Sequence, residues 1–206
     1  MVPQFPQQAA TNGRRLRVLG VDPAVAGATG FGVIEADGSS APRLMHFGAW
    51  KLPASVTFAV RLREIHFLVS GIVEQFAPDA VAVESVFTAL NAGTALKLAE
   101  VRGVVLLAAA QAQIPAHSYS PREVKANVTG YGNASKQQVQ QMVKALLGLA
   151  ERPEPSDAAD ALAVALCHAQ MSRMRERLAA SATPHRLAKA TPPGLRPARI
   201  SLPRAR

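Results

Sequence analysis

Two short apolar segments of this chain each end in an acidic residue, and this feature most constrains the fold. Residues 18–21 (VLGV) lead to Asp22, and residues 80–83 (AVAV) lead to Glu84. Apolar segments of this length are typical of strands that are covered on both faces of a sheet. Parallel neighbouring strands present their carboxyl ends side by side, where open α/β sheets place their sites. If these two strands are parallel neighbours, Asp22 and Glu84 lie together at one edge.

The two acids differ in how easily a purely structural role explains them. Asp22 precedes Pro23, and Asp-Pro often begins a turn. Glu84 is harder to explain, because an ionised and unpaired glutamate in so apolar a strand is costly. No Lys or Arg lies within ten residues of Glu84 in the sequence.

The opening of the chain predicts an antiparallel meander. Residues 16–22, 29–35 and 43–50 have the character of strands, and Asp37-Gly38 is a hairpin turn signal. Two more strands are expected at residues 79–85 and 116–119, separated by helical segments. This order predicts an α/β fold with a mixed five-stranded sheet, in which a three-stranded antiparallel meander joins parallel strands, flanked by helices.

The helical segments differ in their apolar patterning. The helix expected before Pro78 has one apolar face, and Ser135 with Gln138 matches a capping box for a later helix. The helix expected at about residues 92–112 is apolar almost all round. Such a helix needs burial by the core and by a second subunit.

Length and composition fit one domain with terminal extensions. We expect a disordered leader at residues 1–15, a domain at 16–175 and a basic disordered tail at 176–206. The single cysteine, Cys167, excludes internal disulfides and a cysteine-rich zinc site, which favours a reducing cytoplasm. We find no signal peptide and no apolar segment of membrane-spanning length, so no membrane contact is expected.

The net charge of +9 is concentrated near the end of the chain. Residues 172–206 contain nine Lys or Arg and one acid, whereas residues 1–171 contain 14 basic and 13 acidic residues. A basic tail favours a polyanionic partner such as nucleic acid. Tails of this kind also serve only to keep a protein in solution, and the charge alone does not separate these roles.

Two further acids begin the last predicted helix. Asp157 and Asp160 stand at i and i+3, on one face. An acid at a helix start is often structural, since the helix dipole favours it. If these acids meet Asp22 and Glu84, their repulsion requires cations, and oxygen ligands select Mg²⁺ or Mn²⁺. A two-metal phosphodiester nuclease is then one interpretation, and four unrelated structural acids are the other.

Several motifs together resemble the bacterial RuvC family of Holliday-junction resolvases. These are LGVDP, TGFGVIE, DAVAVESVF, NAGTALKLAEVRGVV, VKANVTGYGNASKQQVQQMV and DAADALAVALCH, in order across about residues 17–168. The resemblance implies a ribonuclease H-like fold, a homodimer, and Mg²⁺ or Mn²⁺, two ions per site. It matches the four catalytic, metal-binding acids of the family to Asp22, Glu84, Asp157 and Asp160. It also implies a four-way DNA junction as substrate and a branch-migration motor as partner.

The resemblance implies DNA contacts for other residues. Phe87 matches an aromatic near the junction core, although a core position would equally explain it. Lys125 and Lys136 match lysines near the active centre, where they would hold the scissile phosphate; solvated helix-start lysines are the alternative. Softer candidates for backbone contacts are Arg122, Asn91 and Tyr131.

One loop departs from the family pattern. The family usually has Gly after Asp-Pro, where this chain has Ala24, and the interval to TGFG is one residue longer. The loop beside Asp22 is therefore expected to follow a different path. Two other functions stay open, which are a ribonuclease H-like nuclease acting on RNA/DNA hybrids or transposon ends, and a non-catalytic junction-binding protein.

Overall fold

The computed structural model describes residues 15–38, 40–85 and 91–181. The elements of this part of the chain are, in order, β1 (Leu16–Asp22), β2 (Ala28–Ala36), β3 (Arg43–Lys51), α1 (Phe58–Phe76), β4 (Ala80–Glu84), α2 (Ala92–Gln111), β5 (Ala116–Tyr119), α3 (Pro121–Thr129), α4 (Lys136–Leu146) and α5 (Ser156–Ser181). The predicted order of strands and helices is confirmed.

The five strands form one mixed sheet in the order β3-β2-β1-β4-β5. Strands β1, β2 and β3 pair antiparallel, whereas β1 with β4 and β4 with β5 pair parallel. Val21 of β1 is opposite Val83 of β4. Because the strands run in the same direction, the residues that follow these two valines emerge at the same edge of the sheet.

Helices cover both faces of the sheet. Val18 and Ile34 pack in one hydrophobic cluster with α3, α4 and α5, whereas Leu19 and Val33 pack in a second cluster with α1 and α2. Alternate residues of the central strands thus enter opposite cores, which explains why their sequences are apolar without alternation.

Helix α5 lies unusually close to strands β1 and β2. A Cβ added at Gly20 would lie 2.1 Å from the carbonyl oxygen of Ala161, and one added at Gly30 would lie 1.9 Å from that of Asp157. No side chain fits at either position, because the helix backbone occupies the space. The glycines therefore set the height of α5 above the sheet.

Two details correct the sequence-based expectations. Arg15, which the prediction placed in the disordered leader, pairs with the buried Glu35 at 3.3 Å. Helix α5 continues to Ser181, so residues 176–181 are helical rather than part of the tail. Helix α2, expected to be covered by the core and by a second subunit, has exposed leucines within this chain, since Leu96 is 66% exposed and Leu107 is 51% exposed. Among the described helices, none is both long and apolar enough to cross a membrane.

Candidate active site

The register of β1 and β4 places Asp22 and Glu84 side by side. Each acid follows one of the paired valines, Val21 and Val83, at the carboxyl end of its strand. The two carboxyl groups lie close enough for one of them, when protonated, to donate a hydrogen bond to the other. The expected proximity of these acids is therefore present in the structure.

The first turn of α5 brings the other two acids to the same edge. Gly30, over which the carbonyl of Asp157 lies, is opposite Asp22 in the β1–β2 ladder. Asp160 is one helical turn further on, and both acids act electrostatically on Asp22. We refer to Asp22, Glu84, Asp157 and Asp160 as the acidic cluster.

The acidic cluster is electrostatically unfavourable for fully ionised carboxylates. Burial, followed by the negative charges of Glu84 and the two α5 acids, raises the pKa of Asp22 to about 8. Burial also raises the pKa of Glu84 and of Asp160, against the opposing effect of their hydrogen-bond partners. A nearby cation would relieve this repulsion and favour the ionised forms.

Two lysines face the acidic cluster from the helices above it. Nζ of Lys136 lies 2.6 Å from Oδ2 of Asp160. Lys125 and Lys136 line one cleft of about 200 Å³ together with Glu84 and Asp160. Both lysines lower the pKa of Glu84 through their positive charge, after the larger contributions of burial and the other acids. The structure thus places the two predicted lysines at the acids.

Capping interactions fix the two helices that carry these lysines. At the start of α4, the Ser135 hydroxyl oxygen accepts from the backbone N–H of Gln138 at 3.2 Å. The backbone N–H of Ser135 in turn donates to Gln138 Oε1 at 2.8 Å. Ser120 and Glu123 form the same reciprocal pair before α3. These capping boxes satisfy backbone groups that a helix start leaves unpaired, and so anchor Lys136 at the first position of α4.

The remaining DNA-contact candidates have mixed placements. Tyr131 is exposed, and Arg122 lies beside Gly132 in the loop that follows α3. Asn91 caps α2, since its Oδ1 accepts from the backbone N–H of Thr94 at 2.9 Å. Phe87 lies outside the described residues.

The donor chemistry of the acidic cluster fits hard divalent cations. All four side chains offer carboxylate oxygens, the ligands that Mg²⁺ and Mn²⁺ prefer. In the described residues, no three acidic, His or Cys side chains are already gathered as a ligand set. Two direct contacts occur instead, between Asp22 and Glu84 and between Asp160 and Lys136. Cation binding would lower the raised pKa values of Asp22, Glu84 and Asp160.

Sequence patterns alone did not reveal the positioning role of Gly20 and Gly30. The available signal is a glycine inside an otherwise apolar strand, which often marks close approach of another backbone. In this chain the approaching backbone is the one that carries Asp157 and Asp160. The glycines therefore contribute to the acidic cluster although they have no side chain.

The fold and the acidic cluster define a nuclease of the ribonuclease H-like class. The model of the family described as "Crossover junction endodeoxyribonuclease RuvC" matches residues 18–168. A crossover junction endodeoxyribonuclease RuvC of Chloroflexus aggregans is 46% identical over 81% of this chain and 100% of its own length. One from Caldicellulosiruptor saccharolyticus is 42% identical over 74% of this chain and 92% of its own. The chain belongs to the RuvC family.

Solved structures agree with this assignment. A structure of Thermus thermophilus RuvC superimposes with a TM-score of 0.71 at 39% identity and covers 78% of this chain and 98% of that one. A second, described as T. thermophilus RuvC in complex with Holliday junction substrate, gives a TM-score of 0.74 at 38% identity and covers 78% of this chain and 97% of that one. Dependence on divalent metal is a general property of this nuclease family.

Proposed function

We propose that this chain cleaves four-way DNA junctions by paired hydrolytic nicks in two strands of like polarity, during recombination and repair. The observation that carries the proposal is the acidic cluster at one sheet edge, with Lys125 and Lys136 facing it. Family membership and the junction-bound state of the T. thermophilus relative support the choice of substrate.

The acidic cluster would hold two Mg²⁺ or Mn²⁺ ions per site. When bound, two such ions supply an activated water and stabilise the leaving oxygen in an in-line displacement. Asp22 and Glu84 come from adjacent central strands, and Asp157 and Asp160 come from a buried helix. This rigid support fixes the carboxylates before substrate arrives, which favours accurate positioning of the reacting groups.

Lys125 and Lys136 would hold the scissile phosphate. The attacking water gives up a proton to solvent, and its oxygen forms a new bond to phosphorus as the phosphodiester P–O bond breaks. The departing oxygen takes a proton from solvent and ends as a hydroxyl. Negative charge grows on the phosphoryl oxygens during this step, and fixed ammonium groups stabilise it. The ion pair with Asp160 keeps Lys136 directed towards the acidic cluster.

The same proposal includes a homodimer. A four-way junction with approximate two-fold symmetry is matched by a two-fold dimer carrying two identical sites. Leu96 and Leu107 lie three helical turns apart on α2 and are exposed, which supports α2 as the subunit contact. We infer a branch-migration motor as a further partner from family membership, and a reducing cytoplasm from the lone, buried Cys167.

Contacts to DNA outside the acidic cluster complete the proposal. The exposed ring of Tyr131 is available to stack on a base, and Arg122 is an exposed cation on α3. Asn91 and Phe87 stay candidates by resemblance, with Asn91 also serving as a helix cap.

The decisive experiment is cleavage of a synthetic mobile four-way junction with Mg²⁺ or Mn²⁺, compared with EDTA. We expect symmetric nicks only with metal, and no cleavage by the Asp22→Asn variant, which should still bind the junction. An RNA/DNA hybrid of the same length serves as the competing substrate. Preferential cleavage of the hybrid, or junction binding without cleavage under every metal condition, would refute the proposal.

A further inference from the structure

A second cleft, of about 620 Å³, lies beside the loop that joins β1 to β2. Its walls come from that loop at residues 25–27, the segment that follows β3, and the first turns of α1 and α2. A cleft of this volume is within the size range of ligand-binding pockets in proteins. The cleft of the acidic cluster shares none of these lining residues.

Three cations and no carboxylate line this second cleft. Lys51 and Lys97 are exposed, whereas Arg61 is only 9% exposed. One guanidinium nitrogen of Arg61 donates to the carbonyl of Pro53 at 3.4 Å, and no carboxylate in the described ranges pairs with it. Arg61 thus presents a cation to the cleft with no acidic side chain among the lining residues. The cleft is therefore complementary to an anion.

The second cleft lies at the same sheet edge as the acidic cluster. Asp22 is opposite Gly30 in the β1–β2 ladder, and Ala28 is opposite Lys51 in the β2–β3 ladder. Two strand spacings separate β1 from β3, which amounts to about 10 Å across the sheet. A nucleic-acid strand at the acidic cluster would reach the second cleft within a few nucleotides.

The loop that departs from the family pattern forms one wall of this cleft. Gly27 has a φ of +92°, and no atom lies within 4 Å of a Cβ placed there. The wall is therefore an open backbone turn of a kind that glycine accommodates without strain. The loop therefore contributes one wall of a cleft whose other lining residues include Lys97, from the NAGTALKLAEVRGVV motif.

We propose that the cleft formed by Lys51, Arg61 and Lys97 binds a backbone phosphate of a DNA arm beyond the scissile phosphate. The inference rests on the proposed function, since DNA at the acidic cluster brings the arm to this place. Guanidinium and ammonium groups recognise phosphate oxygens through charge-assisted hydrogen bonds. The apolar part of the lining, which includes Leu52 and Phe58, suits the sugar that accompanies a backbone phosphate.

The test measures junction affinity against salt concentration in EDTA, where no cleavage occurs. The full-length chain is compared with Lys51→Gln, Lys97→Gln and their double variant. Each substitution should lower the slope of log K against log salt by about 1, and weaken binding about tenfold at 0.1 M salt. The matched control is Arg63→Gln, because Arg63 is an exposed α1 cation that pairs with Glu64 and does not line the cleft.

Arg61 provides a second, independent variant. Arg61→Lys keeps the charge and Arg61→Gln removes it, and thermal unfolding establishes whether each variant is folded. Junction affinity should fall more for Gln than for Lys. If both Arg61 variants unfold, the two exposed lysines still decide the outcome.

The possible outcomes separate this inference from the proposed function. Unchanged slopes for the lysine variants, or an equal change for Arg63→Gln, would overturn the cleft proposal while wild-type cleavage stands. Reduced slopes for the lysine variants, with no wild-type cleavage in any metal, would refute the proposed function and still support phosphate binding in the cleft. Binding of inorganic phosphate, measured at constant ionic strength, provides a third arm. Phosphate binding that is lost in the lysine variants, together with unchanged junction slopes, would assign the cleft to free phosphate and overturn DNA binding there.

Discussion

The ammonium group of Lys136 lies 2.6 Å from Oδ2 of Asp160 and joins the first residue of α4 to the first turns of α5. A lysine at the start of a helix is disfavoured by the helix dipole. The contact with Asp160 compensates for this cost, and it raises the pKa of Lys136. The position of Lys136 is therefore explained by the acidic cluster rather than by the stability of α4.

We predict that Lys136→Met lowers the rate of junction cleavage by about a hundredfold, since one fixed donor to the reacting phosphate is lost. Junction affinity should change much less. The measurement is single-turnover cleavage together with binding in EDTA. Lys144→Met, in the last turn of the same helix, is the control and should leave the rate unchanged. Equal rates for the two variants would remove Lys136 from the proposed machinery.

Asp22→Asn should abolish cleavage and stabilise the metal-free protein. The substitution removes a carboxyl group whose raised pKa destabilises the fold at neutral pH, where the unfolded chain carries it ionised. We expect this to contribute about 1 kcal/mol and raise Tm by about 3 °C. Thermal unfolding in EDTA measures the effect. Asp79→Ala is the contrasting control, because Asp79 Oδ2 accepts from the backbone N–H of Arg17 at 2.8 Å, and alanine, which has no acceptor, should destabilise the fold. A lower Tm for Asp22→Asn would contradict the inferred repulsion.

The sequence allowed much of this site to be predicted because strand ends carry unusual residues. Glu84 follows four apolar residues, and such a position requires a partner that only tertiary structure supplies. The spacing of apolar residues also predicted the helices, and capping pairs such as Ser135 with Gln138 indicated where helices begin. These features depend on neighbours in the chain, which the sequence shows directly.

Features that depend on the distance between elements were not predictable. The height of α5 above the sheet is set where Gly20 meets Ala161, and no local pattern specifies that pair. Arg15 joins the fold because Glu35, in a different strand, is buried and needs cations. The exposure of Leu107 likewise depends on how far α1 and the sheet cover α2.

We predict that Gly30→Ala lowers cleavage at least a hundredfold and destabilises the fold by about 2 kcal/mol. The added methyl group would require the Asp157 carbonyl, 1.9 Å from the new Cβ, to move away. A displacement of about 1 Å in the acids of α5 is enough for such a loss of rate. Gly71→Ala, in the open middle of α1, is the matched control and should stabilise slightly. Full activity of Gly30→Ala would show that α5 adjusts without cost to the site.

A buried histidine should make the fold sensitive to acid. His168 is 1% exposed, and its Nδ1 lies 2.8 Å from the hydroxyl of Tyr119. Burial, followed by the charges of His117 and Arg175, lowers the pKa of His168 to about 3. This value lies below the ordinary one of 6.5, so the unfolded chain binds a proton that the folded chain excludes. The contribution of His168 to the free energy of unfolding is therefore complete above pH 6.5, and it falls as the pH decreases towards 3.

Urea unfolding of the Asp22→Asn variant between about pH 5 and 7 measures this dependence, because the raised pKa of Asp22 would otherwise contribute a slope of opposite sign. The expected slope from His168 is up to about 1.4 kcal/mol per pH unit. Burial also lowers the pKa of His117, which therefore adds to the slope. Cys167 and Arg175 face the same cluster, which is formed by His117 and His168. His168→Gln should reduce the slope, whereas His66→Gln, on α1 and outside the cluster, should not. An unchanged slope in His168→Gln would assign the acid sensitivity to other groups.

The exposed face of α2 leads to a prediction about assembly. Leu96 and Leu107 are three turns apart on one side of α2, and neither is covered by the described part of the chain. We expect a dimeric mass for the wild type and a monomeric mass for Leu107→Glu, measured by light scattering after size exclusion. The control is Leu178→Glu, since Leu178 is 60% exposed on the distal part of α5.

The same variants test whether dimerisation couples the two nicks. Each nick needs one acidic cluster, so the monomeric Leu107→Glu variant should cut cruciform plasmid in one strand at a time, whereas the dimer releases linear product. Leu178→Glu should behave as the wild type does. A dimer that persists in Leu107→Glu but dissociates in Leu178→Glu would place the subunit contact on α5 and exclude α2.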